Sequence, residues 1–465
     1  MLNWSIERLK NVTKGDSSSD TLEKKITGIS IDSRSLKKGD LFCALKGKNH
    51  DGHDYLYQAY KNGASCLLIS DPNKECPSLP VIEVKNVLKA LEKIAKNNRE
   101  NISSKFVAIT GSVGKTGTKD MVKLALSKVG KTFANRGNLN NHIGVPFSMS
   151  NIPSDSNYCV LEIGMNKLGE IKKLSKLVSP DIGIITAIEN SHLNDLKTLK
   201  NILKAKSELI DNIEKTGCFI YNCDTNFSKE LRQKAEKKNI TNIISYGTNK
   251  DANIQILRKT KIKNKYLIEA RYFDEKVSWQ MPELADHWYS NSLCVLGVGK
   301  HLGVDLDELL QALKDFRLPK GRGNLIYVEK WLKNFFIIDE SYNSNPASLT
   351  AALTSFNKMK FAGNKIAILG DMNELGDESE KFHLNMKENI EKIDIRTIIT
   401  IGKYMKRLNL VLSSKFQKLH FDDMNELEYE LKDLVCSNDC ILVKGSNSLR
   451  LYSLVNKLAG ADYDL

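Results

Sequence analysis

One stretch constrains this chain more than any other: Val107–Lys119, reading V-A-I-T-G-S-V-G-K-T-G-T-K. Phe106 to Thr110 are apolar or β-branched and read as a buried strand. Gly111, Gly114 and Gly117 punctuate a tight loop, and the helix-favouring run Lys119 to Leu126 follows. A strand, a glycine loop, Lys-Thr and a helix together make a phosphate cradle, in which loop N–H groups and the positive helix N-terminus bind phosphate oxygens. Gly111, Ser112, Val113, Gly114 and Gly117 would supply that backbone. Lys115 would reach the terminal phosphates, and the Thr116 hydroxyl would ligate Mg²⁺. The spacing departs from G-x-x-x-x-G-K-[ST], because position 109 is Ile and the first glycine is Gly111. A bare G-K-T is compatible with an ordinary turn before a helix; the strand before it and the helix after it favour a nucleoside triphosphate.

At 465 residues the chain has room for three domains of about 150 residues each. No run of 18 uninterrupted apolar residues occurs, so no membrane-spanning helix is expected. The start, Met1 to Arg8, lacks the apolar segment of a signal peptide, which predicts a cytoplasmic protein. Nine cysteines are scattered without any C-x-x-C and read as free thiols in a reducing compartment. The formal charge of +13 is spread over lysines on nearly every predicted helix and diluted by 56 acidic residues. That is a solvated surface rather than a nucleic-acid face, and at most it attracts small anionic substrates.

Residues 1–100 predict a small α/β domain, with strands at 26–32, 40–45, 65–70 and 81–84 and helices at 53–63 and 86–97. The polar segment 98–105 reads as a linker. Residues 101–318 alternate strand and helix, the pattern of a mostly parallel sheet with helices on both faces, then turn β-rich and alternating at 254–281. The Pro/Gly break Leu318-Pro319-Lys320-Gly321-Arg322-Gly323 marks a boundary, and residues 319–465 predict a second doubly wound, Rossmann-like α/β domain.

Ligands of such sheets bind at the carboxyl ends of parallel strands. Glu162 ends an apolar strand, where a carboxylate is costly unless it is paired or metal-bound. His192 follows the next strand; a loop histidine is usually surface, but this one is placed to face the same site. Lys206, on the following helix, is by physics alone a solvated charge. Asn138, Asn140 and Asn141 lie between glycines just after a strand, and either make turns or bind polar substrate groups. In the third domain Asp339 to Pro346, Asp371 to Gly376 and Lys444-Gly445-Ser446 each follow an apolar strand. Each alone could be a helix cap; three in one domain point to a shared crevice.

These residues, taken along essentially the whole chain, resemble the Mur ligase superfamily of ATP-dependent amide ligases. The matches are Thr110 to Thr116, Gly137-Asn138-Leu139-Asn140-Asn141 running into Ile143-Gly144-Val145-Pro146, and Glu162 to Asn166. Asp339 to Pro346, Gly370 to Gly376, Val443 to Ser446, Asp32-Ser33-Arg34 and Ala44-Leu45-Lys46-Gly47 match as well. The asparagine run and the D-M-x-E-L-G stretch resemble the branch that joins D-alanyl-D-alanine to a UDP-N-acetylmuramoyl tripeptide in peptidoglycan synthesis.

The resemblance implies three domains, for the uridine-nucleotide substrate, ATP and the incoming dipeptide. It implies that Glu162 and His192 bind Mg²⁺ together with Thr116, and that Lys206 is carbamylated. It further implies that Asn291, Arg322, Asp339 and Asn343 contact ATP. Ser33, Lys46 and Gly47 would lie near the uridine end, and Asn138, Asn140 and Asn141 near the substrate. The expected partners are small molecules only, with no nucleic acid and no membrane span, and the expected state is a monomer. Two departures from the family stand out: Ala285-Asp286-His287-Trp288 replaces the usual G-R-H-N, and Ser448-Leu449-Arg450-Leu451 follows Ser446 where small residues and Met are common. Other readings are a neighbouring ligase of the superfamily (diaminopimelate- or lysine-adding, or folylpolyglutamate synthase) and a non-catalytic ATP-binding regulator. The diaminopimelate adder's D-N-P-R motif is absent.

Overall fold

A computed structural model of the chain describes residues 4–17, 23–47, 50–137, 139–189, 196–263, 265–373 and 375–460. The first α/β unit is a parallel sheet in sequence order, Ile29–Ser30, Leu41–Cys43, Cys66–Ile69 and Val81–Glu83. The helix Val87–Glu100 packs on it, started by Asn86, whose side chain accepts from Lys89 N at 2.8 Å. The predicted linker at 98–105 is shorter than expected, because this helix runs on to Glu100. Asn98 is buried within it and donates to the carbonyls of Met149 (2.8 Å) and Ile152 (3.0 Å). Its polarity therefore serves an anchor between domains.

The central sheet has nine strands, ordered 275–282, 265–272, 254–262, 242–247, 218–222, 182–185, 105–110, 158–162 and 132–134. The strand Lys105–Thr110 lies between Ile182–Ile185 and Tyr158–Glu162, parallel to both. Its alternating residues feed two cores. Val107 and Ile109 pack with Met121, Val122 and Leu293 on one face, while Phe106 and Ala108 pack with Ile171, Leu174 and Leu209 on the other. The predicted β-rich extension is an antiparallel meander of Ile254–Ile262, Lys265–Tyr272 and Glu275–Pro282. The helix expected over 196–213 is Leu199–Ser207 followed by a short 3₁₀ turn, Ile210–Asn212. It breaks where Glu208 accepts from Gly169 N (2.8 Å) and Lys172 N (3.0 Å) at the start of the helix Glu170–Val178.

The C-terminal sheet is ordered 324–330, 333–340, 440–444, 365–370, 397–401 and 417–421, antiparallel in its first pair and parallel elsewhere. Among the described residues no helix is long and apolar enough to cross a membrane. In both large sheets the chain reverses its direction of strand addition, beside Lys105–Thr110 in one and at Cys440–Lys444 in the other. Such reversals leave a crevice at the strands' carboxyl ends.

Candidate active site

The two crevices face one another and enclose a cavity of about 620 Å³, lined from both domains. The glycine loop forms its floor. Gly114 has φ +82°, a left-handed conformation that costs glycine little, and it starts the helix Lys115–Val129. A Cβ there would also lie 2.6 Å from Asn291 Nδ2, so Asn291 packs directly on the loop backbone. Ser112 Oγ accepts from Glu189 N (2.9 Å) and donates to Glu189 O (2.8 Å), tying the loop to the neighbouring strand's end. Lys115 Nζ donates to Gly111 O at 2.7 Å, which holds the ammonium over the loop.

Glu162 is almost fully buried, and its carboxylate is partnered on both oxygens. Thr116 Oγ1 donates to Oε2 and Asn140 Nδ2 donates to Oε1, each at 2.8 Å. Arg322, from beyond the domain boundary, donates through Nη2 to Thr116 Oγ1 at 3.1 Å and lies 3.8 Å above the Tyr342 ring centroid. Arg322 Nε and Ser344 Oγ are buried without a hydrogen-bond partner among the described residues. Groups of this kind are satisfied by a polar or anionic ligand in the cavity.

Lys206 is 1% exposed. Burial pushes its amine well below the ordinary lysine value; the charge of Lys115 adds to this and Glu162 opposes it. A neutral amine is the form that reacts with carbon dioxide. Glu162 and Thr116 bring a carboxylate and a hydroxyl together, the hard oxygen donors that Mg²⁺ prefers. Among the described residues no cluster of three or more His, Cys, Asp or Glu side chains is arranged for a metal. Two predicted positions, His192 and Asn138, lie outside the described residues.

Comparison with known proteins agrees with this arrangement domain by domain. Residues 25–99 match the model of the Mur ligase family catalytic domain, residues 109–299 the Mur ligase middle domain, and residues 321–447 the Mur ligase glutamate ligase domain. The UDP-N-acetylmuramoyl-tripeptide–D-alanyl-D-alanine ligase of Rickettsia prowazekii is 34% identical over 92% of this chain and 94% of its own length. The chain belongs to the Mur ligase family. The Bacillus subtilis ligase of the same name is 30% identical over 98% of this chain and 99% of its own. The crystal structure of MurF from Acinetobacter baumannii superposes with a TM-score of 0.85 at 27% identity, covering 98% of this chain and 99% of that one.

Within this Mur ligase, the predicted positions fall into three groups. Ser112 to Gly117, Asn140, Asn141, Glu162, Asn291, Arg322 and Asn343 all line the cavity. Gly111, Asp339 and Lys206 do not line it; Gly111 lies behind the loop, where its carbonyl accepts from Lys115. The Asp339 carboxylate accepts from Gly321 N (3.0 Å) and Ser341 N (3.1 Å), and so shapes the segment carrying Arg322. Ser33, Lys46 and Gly47 belong to the N-terminal domain, where Ser33 Oγ donates to Gln58 at 2.7 Å and Lys46 pairs with Asp51 at 3.5 Å. Asn141 Oδ1 accepts from Ile143 N and Gly144 N, so it starts the helix Gly144–Ser150 while lining the site.

Several residues of the site were not singled out from the sequence. Asn135 Oδ1 accepts from Glu162 N (2.9 Å), and its Nδ2 donates to Glu162 O (3.0 Å) and Leu139 O (2.8 Å). One amide thus fixes both the acidic strand end and the asparagine run. Lys119, buried one turn after Lys115, holds Asn135 O at 2.9 Å. Lys444, by contrast, belongs to a strand end already read from the sequence; it is buried and donates to Glu340 Oε2 (3.2 Å) and Asn343 O (3.0 Å). Trp288 fills the space beside Gly117, where a Cβ would lie 2.3 Å from its ring. The departure of A-D-H-W from the family pattern and the glycine at 117 together could have signalled that contact.

Proposed function

We propose that this chain is an ATP-dependent ligase that joins D-alanyl-D-alanine to a UDP-N-acetylmuramoyl tripeptide in peptidoglycan synthesis. The observation that carries the reading is the shared cavity, in which a phosphate loop and a buried Glu162–Thr116 pair face the polar strand ends of a second α/β domain. The names of its relatives support the same activity. Residues 1–100 hold the uridine nucleotide, with Ser33, Lys46 and Gly47 near it; residues 101–318 hold ATP; residues 319–465 receive the dipeptide.

The tripeptide carboxylate attacks the γ-phosphorus of ATP, the bond to the bridging β–γ oxygen breaks, and an acyl phosphate and ADP form. The dipeptide amine then attacks the acyl carbon and expels phosphate. Lys115 and the loop N–H groups stabilise charge on the transferring phosphoryl group. Mg²⁺, held by Thr116, Glu162 and His192, would neutralise phosphate charge. Carbamylation of Lys206 would turn a neutral buried amine into an anion on the central domain. Asn140 and Asn141 orient the tripeptide side, and Asn291, Arg322, Asp339 and Asn343 hold or shape the nucleotide side. Enclosure between domains keeps water from the acyl phosphate. The protein works as a monomer in the cytoplasm.

A phosphate-release assay with ATP and the UDP-tripeptide tests the reading. Release is expected to depend on D-Ala-D-Ala and to yield the pentapeptide. Release driven equally by diaminopimelate, lysine or glutamate would overturn it.

A further inference from the structure

His383 is fully buried in the helix Ser379–Glu391, where no predicted site residue lies. Both ring nitrogens are engaged. Nδ1 lies 2.6 Å from the carbonyl of Ser379, which can only accept, so Nδ1 carries the proton. Nε2 is then a bare acceptor, and it takes the backbone N–H of Met372 at 2.8 Å. Its partners thus fix one neutral tautomer. Burial also disfavours the charged ring, against the pull of the Ser379 carbonyl and of Asp371.

The bond to Met372 sets the loop that follows the strand Lys365–Gly370. On one side of that amide, Asp371 is locked by Tyr404 N (3.1 Å) and Met405 N (2.8 Å). On the other side, Asn373 reaches the cavity, its N–H donating to Ser446 Oγ (2.7 Å) and its Nδ2 to Ser448 Oγ (2.6 Å). Asn373, Ser446 and Ser448 all line the cavity from the C-terminal domain. A histidine outside the cavity therefore governs where this polar wall stands.

We propose that His383 is a positioning residue for the amine substrate: through Met372 it holds Asn373, Ser446 and Ser448 in register to receive the incoming dipeptide. The inference rests on the reading that this wall takes the dipeptide. It assigns His383 an effect on one substrate only, because among the described residues neither the glycine loop nor the N-terminal domain is hydrogen-bonded to Met372.

Two polar substitutions separate the ring's two nitrogens. In His383→Asn the side-chain amide reaches Ser379 but is too short for Met372. In His383→Gln the carbonyl oxygen stands near the place of Nε2 and accepts from Met372. The Asn variant is expected to raise the KM for D-Ala-D-Ala about tenfold, leaving the KM values for ATP and the UDP-tripeptide within twofold. The Gln variant is expected to stay within threefold of the unaltered enzyme for all three. Equal behaviour of the two variants, or a common shift in all three KM values, would overturn the proposal in favour of a purely structural histidine. If either variant fails to fold, its unfolding also overturns it, since the site would then be a stability element. Asn373→Ala tests the underlying reading on its own. A raised dipeptide KM there, with His383→Asn unchanged, sinks the histidine's role and keeps the wall; an unchanged dipeptide KM in Asn373→Ala sinks the wall and the proposal with it.

Discussion

The central domain meets its two neighbours through very different surfaces. Toward the N-terminal domain apolar side chains of each domain enter the core of the other. Ala95, on the N-terminal domain's helix, sits in the central domain's core, and Phe147 of the central domain packs against the N-terminal core. Trp4 Nε1 donates to Ser150 O at 3.3 Å, and Arg99 clasps the carbonyls of Val178 and Ser179, each at 2.9 Å. Toward the C-terminal domain the contact surrounds the cavity, crossed by the Arg322–Thr116 hydrogen bond and by a Lys358–Asp286 ion pair at 4.0 Å. The first surface is built like a domain interior, the second like a binding site. The lesson is a division of labour: one neighbour is fixed to the ATP-binding domain, while the other is held by groups that ligands can recruit.

The largest effect should come from the cavity floor. Lys115→Ala is expected to lower kcat by about 10³-fold, as loss of a charged donor to a transferring group does. Its melting temperature should stay where it was, because the lysine's ammonium bonds to its own loop. Phosphate release and a thermal melt measure both, and a strong loss of stability would mean that the lysine is structural.

Lys206→Met should follow in size, with a loss of activity and a distinct pH signature. In carbon-dioxide-free buffer the unmodified amine is neutral when folded and protonated when unfolded, over the range between its lowered value and about 10.4. Unfolding then takes up a proton, so stability rises with pH across that range. Denaturant melts at several pH values should show this slope in the unaltered protein and a flatter one in Lys206→Met. Equal slopes would remove the buried-amine account.

Arg322→Ala sharpens the comparison directly. It severs the hydrogen bond from the C-terminal side to Thr116 and leaves both cores intact. An activity loss of about 10- to 100-fold with unchanged melting is expected, because positioning alone is worth that much. If melting fell as far as for a core substitution, the two surfaces would not differ in kind.

How much of this was legible beforehand depended on distance along the chain. The glycine loop, the strand ends at Glu162 and Asp371, and the Pro346 helix start are local signals, carried by glycine, proline and apolar period. The strand expected over 26–32 is split into Lys25–Ile26 and Ile29–Ser30, because the first pairs with Trp4–Ser5 and the second with Leu41–Cys43 in another sheet, a change of partner that periodicity does not reveal. The helix Gly144–Ser150 was read only as a motif: it holds glycine and proline and is started by the Asn141 side chain. Asn135, Lys119 and His383 were missed for a different reason. Each acts through backbone groups of residues 11 to 27 positions away, and a polar residue that satisfies a distant amide looks in sequence like any loop or helix polar residue. The asparagine at 98 shows the same limit, having been read as linker polarity.

The smallest effects test the fixed interface. Asn98→Ala removes the side-chain donor from two buried carbonyls and should cost about 1–3 kcal/mol, with kcat unchanged. Asn151→Ala is finer still. Asn151 accepts from Ile29 N at 2.9 Å and donates to Ile29 O at 3.0 Å, imitating one rung of a strand ladder across the domain boundary. Its rung sits on an already apolar joint and is half-buried, so water can replace part of it. The expected cost is about 1 kcal/mol in a denaturant melt. Ile29 begins the strand that leads to Ser33, so the same variant should raise the KM for the UDP-tripeptide modestly, without touching that for ATP or for D-Ala-D-Ala. A change in the ATP KM instead would show that the N-terminal joint transmits to the glycine loop, and the two interfaces would then be one mechanical unit rather than two.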